Sequence, residues 1–88
     1  MPVISAAENF SVNFYPNPMT EYADVIISSE KFNPLFYQAY DLNGRMVLSG
    51  QCRTNYFRLH KNNFSSGIYF LRMDDGSGET VSIKFIVL

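Results

Sequence analysis

An all-β sandwich of about seven antiparallel strands is the fold class that the sequence predicts, on three observations. Apolar residues recur with period two along most of the chain, which lines one face of a strand and leaves the other polar. Clusters of Pro, Gly, Asn, Asp and Ser interrupt these runs at short, regular intervals, as they do where strands reverse. No stretch with helical spacing competes with the alternation. The 88 residues suffice for one core and not for two. At 47% hydrophobic and 16% aromatic, with eight Phe and six Tyr, the chain can fill that core and is far from the charged, Pro-rich balance of disordered tails.

Residues 1–9 read as a linker or N-terminal extension, so the folded unit is predicted over residues 10–88. Phe10, Val12 and Phe14 alternate with Ser11 and Asn13 and form the first strand. Tyr15-Pro16-Asn17-Pro18 ends it: neither proline has an amide hydrogen, and each drives the residue before it into extended conformation, which predicts a stiff polyproline-like exit from the ladder. Further strands are predicted at Tyr22 to Ser28, Leu35 to Asp41, Arg45 to Leu48, Asn55 to His60, Ile68 to Met73 and Thr80 to Val87, most of them rich in β-branched and aromatic side chains. Asn33-Pro34, Asn43-Gly44, Ser49-Gly50, Ser65-Ser66-Gly67 and Asp74 to Gly78 supply the turns between them. Asn43-Gly44 is the sharpest of these signals. A two-residue type I′ turn needs positive φ at both positions, Asn-Gly meets that at least steric cost, and a hairpin of Leu35 to Asp41 with Arg45 to Leu48 follows. Gly76 and Gly78 let the last two strands fold back on each other in a register that the sequence leaves open.

Charge and chemistry exclude several functions. The net charge is −1, and the seven Lys and Arg are scattered from Lys31 to Lys84, without the cationic stripe of a nucleic-acid binder. No stretch reaches the roughly 18–20 apolar residues of a membrane-spanning segment. Met1 to Glu8 lacks the basic-then-apolar pattern of a secretory signal, so an exported chain of this sequence would be a fragment that begins after the signal and an upstream domain. Cys52, the one cysteine, can form neither an internal disulfide nor a Cys-x-x-Cys site, and reads as a small residue beside a turn. His60 has no second imidazole and no nucleophile motif. Asp74, Asp75, Ser77 and Glu79 fall short of the spacing of a calcium loop. No catalytic, cofactor-binding or metal-binding residue is assigned, the chain is not read as an enzyme, and its oligomeric state is left open.

Four segments carry more together than apart: Tyr15-Pro16-Asn17-Pro18, Tyr40-Asp41-Leu42-Asn43-Gly44-Arg45, Ser66-Gly67-Ile68-Tyr69-Phe70-Leu71-Arg72, and Lys84-Phe85-Ile86-Val87 at the end. In that order, and from about Phe14 to Leu88, the sequence resembles the type A C-terminal sorting domain of the type IX secretion system, the Por secretion tail. Phe64 stands where the family usually has Leu, and Ser65-Ser66 where Pro is frequent. Phe fills the same apolar slot and Ser suits the turn.

The resemblance implies a seven-stranded immunoglobulin-like sandwich that addresses a larger cargo protein of a Bacteroidetes-type bacterium. The cargo, joined upstream and holding any catalytic activity, would reach the periplasm. The type IX translocon would pass it across the outer membrane, and a surface sortase would cleave before the domain, leaving the cargo at the cell surface or secreted. The recognition residues it implies are Tyr15, Pro16, Asn17, Pro18, Gly44, Gly67, Ile68, Tyr69, Phe70, Lys84, Phe85, Ile86 and Val87. Alternation makes one set in each strand core, such as Ile68 with Phe70 or Phe85 with Val87. Direct contact is expected from the exposed half of the last strand, where Lys84 sits, and from Pro16 to Pro18. An open edge at Ile83 to Leu88 would also let a partner add a strand. The competing reading is an immunoglobulin-like extracellular binding module for carbohydrate or protein, with Tyr22, Tyr37, Tyr40 and Tyr56 as its platform in the absence of Trp.

Overall fold

The computed structural model describes residues 3–6, 10–29, 34–76 and 78–88. Met1, Pro2 and residues 7–9 of the expected linker, Asn33 of an expected turn, and Ser77 lie outside the described residues. Alternating sequence becomes strand throughout: β1 Val3–Ala6, β2 Phe10–Tyr15, β3 Tyr22–Ser29, β4 Leu35–Asp41, β5 Met46–Cys52, β6 Tyr56–His60, β7 Gly67–Asp74 and β8 Thr80–Val87, with one 3₁₀ turn at Lys61–Asn63. They assemble into two four-stranded sheets of order β1-β2-β3-β6 and β5-β4-β7-β8, in which all neighbours are antiparallel. The expected all-β sandwich is present, and one strand joins the predicted set: β1, from within the segment read as a linker, pairs with β2 from Val3↔Phe14 to Ala6↔Ser11. The orders β2-β3-β6 and β5-β4-β7-β8 correspond to strands A-B-E and C′-C-F-G of an immunoglobulin-like sandwich. Among the described residues no helix is long and apolar enough to cross a membrane.

The inward halves of the strands build the core. Phe10, Val12 and Phe14 of β2, Ala23, Val25 and Ile27 of β3, Leu71 and Met73 of β7, and Val81, Ile83, Phe85 and Val87 of β8 are all buried. Phe14 meets Phe85 across the sandwich with ring centroids 4.9 Å apart, and Tyr37 of β4 stacks on Phe57 of β6 at 4.5 Å. Cys52 ends β5 as a buried core residue whose thiol lies 3.0 Å from the Thr54 carbonyl.

Two turns differ from the sequence expectation. The β4–β5 hairpin forms as predicted, but it closes on a three-residue loop instead of a type I′ pair. The Asp41 N–H donates to the Arg45 carbonyl (3.0 Å) and the Gly44 N–H to the Asp41 carbonyl (3.0 Å), with positive φ at Gly44 (81°) and not at Asn43. The cause is the Asp41 carboxylate, whose Oδ1 accepts the N–H of Asn43 and of Arg45, both at 2.9 Å, and so fixes a type I turn followed by one left-handed residue. Ser49-Gly50, read as a turn, lies inside β5. Gly50 is there because the Tyr37 ring leaves no room for a Cβ.

Candidate recognition surface

Residues 16–18 form a bend, with cis peptide bonds at Tyr15-Pro16 and Asn17-Pro18, in place of the extended exit expected. The bend sets Asn17 against the outer edge of β8. Its Nδ2 donates to the Lys84 carbonyl at 3.0 Å, and the Ile86 N–H donates to its Oδ1 at 3.0 Å. A side-chain carboxamide thus presents the donor and acceptor that a neighbouring strand's backbone would supply. Met19, fully buried, continues the ladder in parallel with Val87: its N–H donates to the Ile86 carbonyl (2.7 Å), and the Leu88 N–H donates to its carbonyl (2.9 Å). The open edge expected at Ile83 to Leu88 is therefore corrected. From the Lys84 carbonyl to the Leu88 amide, the groups a partner strand would need are already bonded within the chain.

The next motif segment is split by the phase of β7. Ile68 to Leu71 is apolar at every position, so alternation alone did not fix which residues point inward. The expectation that Ile68 and Phe70 are core is corrected: Tyr69, Leu71 and Met73 are buried, Phe70 is 38% exposed and Ile68 is half-buried. The Tyr69 hydroxyl sets this phase by donating to the Ser65 carbonyl four residues upstream at 2.8 Å, the tyrosine corner of immunoglobulin-like folds at the start of strand F. Its ring packs between Phe64 (4.9 Å, edge-on) and Phe85 (5.6 Å, stacked). In β8 the expectation holds: Phe85 and Val87 are core, Lys84 is exposed and Ile86 half-buried.

Register then brings the outward residues into one row across the second sheet. Met46 lies opposite Tyr40, Tyr40 opposite Phe70, and Phe70 opposite Lys84, with Ile68 opposite Ile86 in the adjacent row. Leu42, 63% exposed, follows one residue beyond the Asp41–Tyr69 pair. The next row of the same face is polar: Gln38, Ser49, Arg72 and Ser82 share it, and Arg72 bonds Gln38 (3.3 Å) and pairs with Asp74 (3.6 Å), while beyond it Phe36, 40% exposed, stands between Gln51 and Asp74. Tyr15 is not part of this surface. It ends β2 opposite Asp24 in the first sheet. Gly44 sits in the β4–β5 loop, and Gly67, with φ of 154°, opens β7 opposite Val87.

On the outer face of the first sheet the structure holds a network that motif reading missed. Asp24, a carboxylate with 9% exposure, accepts the Tyr56 hydroxyl at 2.6 Å and Arg58 Nε at 2.8 Å, and the Arg58 guanidinium lies 3.8 Å from the centre of the Tyr22 ring. Arg58, and then Tyr56, hold the Asp24 carboxyl below its ordinary range against the opposing effect of burial. The bond to Asp24 raises both the Tyr56 hydroxyl and the Arg58 guanidinium. The signal in the sequence was Asp24 within an apolar strand, a charge that must find a partner. Of the four tyrosines considered for a carbohydrate platform, Tyr22 and Tyr56 belong to this face, Tyr40 to the opposite one, and Tyr37 packs between the sheets, so they make no common platform. Among the described residues no three His, Cys, Asp or Glu side chains are grouped to hold a metal ion.

These features define a small immunoglobulin-like sandwich module with a last strand sealed along its C-terminal half and a partly apolar outer face. Residues 13–88 match the family model described as the secretion system C-terminal sorting domain, and the chain belongs to that family, the Por secretion tail of the type IX secretion system. It is a family of sorting signals and not of catalysts. The fold is also similar to part of PorZ, described as an essential bacterial surface component of the type-IX secretion system of Porphyromonas gingivalis. The TM-score is 0.71 at 20% identity, over 88% of this chain and 11% of that one. The chain thus spans a small part of that protein's length, and at this identity the likeness is one of fold. No curated protein matches the chain in sequence.

Proposed function

We propose that the chain is the sorting signal of a larger exported protein, with residues 10–88 as the main body of the folded address and residues 1–9 as the extension on its cargo side, from which β1 joins the first sheet. In this reading the cargo crosses to the periplasm first, the type IX translocon reads the folded domain, and a surface sortase cleaves upstream of the sandwich, leaving the cargo at the cell surface or released. The observation that carries the reading is the family match over residues 13–88. The way the motif segments meet at β8 supports it, because the Tyr15-Pro16-Asn17-Pro18 segment bonds directly to the backbone of the Lys84-Phe85-Ile86-Val87 segment.

Of the recognition residues, we assign Asn17, Gly44, Gly67, Tyr69, Phe85 and Val87 to building the fold, and Pro16, Pro18, Ile68, Phe70, Lys84 and Ile86 to the exposed or half-exposed surface on which contacts are made, with Tyr15 apart from it on the first sheet. The test is a periplasmic reporter carrying this chain at its C-terminus in a type IX-competent bacterium. Surface reporter is expected with the domain, and periplasmic retention in a strain without the translocon. Equal surface reporter with and without the domain would remove the reading.

A further inference from the structure

On the outer face of β5-β4-β7-β8 exposed apolar side chains cluster on one half, whereas on the other Phe36 stands between Gln51 and Asp74. Phe70 at 38% exposure and Met46 at 53% flank Tyr40 in the row that ends at Lys84, with Ile68 and Ile86 alongside. Aromatic side chains are among the groups that dominate protein contacts, and contiguous exposed apolar surface on a small domain marks such a contact. The charges on this face are otherwise answered: Arg72 by Asp74 and Gln38, and Arg45 by Asp41 at 3.2 Å. Among the described residues Lys84 has no ion pair or hydrogen bond from its ammonium. Its backbone carbonyl is nevertheless held by Asn17, so the strand that presents the ammonium is fixed.

We propose that this half-face docks a protein of the export machinery whose own contact surface is apolar and carries a carboxylate opposite Lys84. The proposal rests on the sorting reading and names where and by what chemistry that sorting is read. Two other occupants fit less well. In a two-fold pair with a second copy of this chain, the two Lys84 ammoniums would lie within one apolar contact with no acid to answer them. An anionic lipid surface is held by clusters of several basic residues, whereas among the described residues this half-face offers Lys84 and an Arg45 already paired with Asp41. Backbone addition at β8 is closed over residues 84–88 by Asn17 and Met19, which leaves side chains as what a partner reads there.

The experiment uses the reporter fusion in a type IX-competent bacterium with five domain variants, Lys84→Glu, Lys84→Arg, Phe70→Ser, Met46→Ser and Ser28→Glu, the last on the opposite face. Thermal unfolding of each purified domain establishes that it is folded. Loss of a contact at the centre of such a surface predicts that Lys84→Glu and Phe70→Ser lower surface reporter about tenfold or more, with reporter held in the periplasm. Met46→Ser, at the rim, lowers it less. Lys84→Arg keeps the charge, and it and Ser28→Glu stay within about twofold of the wild type. Wild-type export by folded Lys84→Glu and Phe70→Ser domains overturns the docking proposal while leaving the sorting reading in place. Failure of the wild-type fusion itself to be exported overturns the sorting reading, and this proposal with it.

Discussion

On the outer face of β1-β2-β3-β6, Asp24 is met by Tyr56 and Arg58, and Arg58 in turn lies over Tyr22. On the outer face of β5-β4-β7-β8, Met46, Tyr40 and Phe70 lead to a lysine that nothing among the described residues answers. Both faces belong to one sandwich, are made by the same alternation and mix aromatic with charged side chains. The difference is in the charges: the Asp24 network answers its own on the first face, where Asn13 Oδ1 is the buried polar atom left without a partner among the described residues, while the second face leaves a cation beside apolar area. A self-satisfied network stabilises the module, whereas an unanswered one is informative about a partner. The same division runs through the motif side chains, since those of Tyr69, Phe85 and Asn17 have their partners inside the chain, whereas among the described residues the Lys84 ammonium has none and Phe70 is left 38% exposed.

The comparison is broken most directly by exchanging inward for outward residues of neighbouring strands. Phe85→Ala removes a fully buried ring that contacts Phe14, Phe64 and Tyr69 and is expected to cost about 3–5 kcal/mol, comparable to the whole stability of a domain this small. Urea or thermal unfolding should find it largely unfolded, whereas Phe70→Ser, whose ring is already 38% exposed, should cost less, about 1–2 kcal/mol. Next comes the seal on β8. Asn17→Ala leaves the Lys84 carbonyl and the Ile86 N–H without their partner and is expected to cost about 1–3 kcal/mol, with faster hydrogen exchange at the Ile86 amide than in the wild type.

A pH series sharpens the account of the first face. Asp24 titrates below the ordinary carboxylate range in the folded chain, so its contribution is fully present above about pH 4, the unfolded value, and is lost as the pH falls through the lower folded value. The stability gap between wild type and Asp24→Asn should therefore close on acidification below about pH 4, by less than the effect of Phe85→Ala. Asp41, held low chiefly by the Arg45 N–H, continues to titrate in both proteins. The smallest effect is Gly44→Ala, where nothing lies within reach of an added Cβ and only the φ of 81° opposes it, for about 1 kcal/mol by denaturant unfolding.

Strand positions were legible because the polar partners of Phe10, Val12 and Phe14, or of Val81, Ile83 and Phe85, declare which face is wet. Where Ile68, Tyr69, Phe70 and Leu71 are all apolar, the pattern is silent, and the phase of β7 was decided by a hydroxyl bond to Ser65. Asn43-Gly44 taken alone specifies a two-residue type I′ turn, whereas the Asp41 carboxylate two residues earlier controls the geometry. Asn17 was a candidate from its motif, but its work is a contact with residues 67 and 69 positions away, which no local rule reports. The apolar row of the second face was out of reach for the same reason. It exists only once the register brings Met46, Tyr40, Phe70 and Lys84 side by side.

Whether sorting is read from the second outer face and not from the first is decided by the surface-to-periplasm ratio of a reporter fused to Phe70→Asp and to Ser28→Asp domains of matched thermal stability. Recognition through the second face predicts periplasmic retention for Phe70→Asp and wild-type export for Ser28→Asp. Equal export of the two, or retention of Ser28→Asp alone, would contradict it.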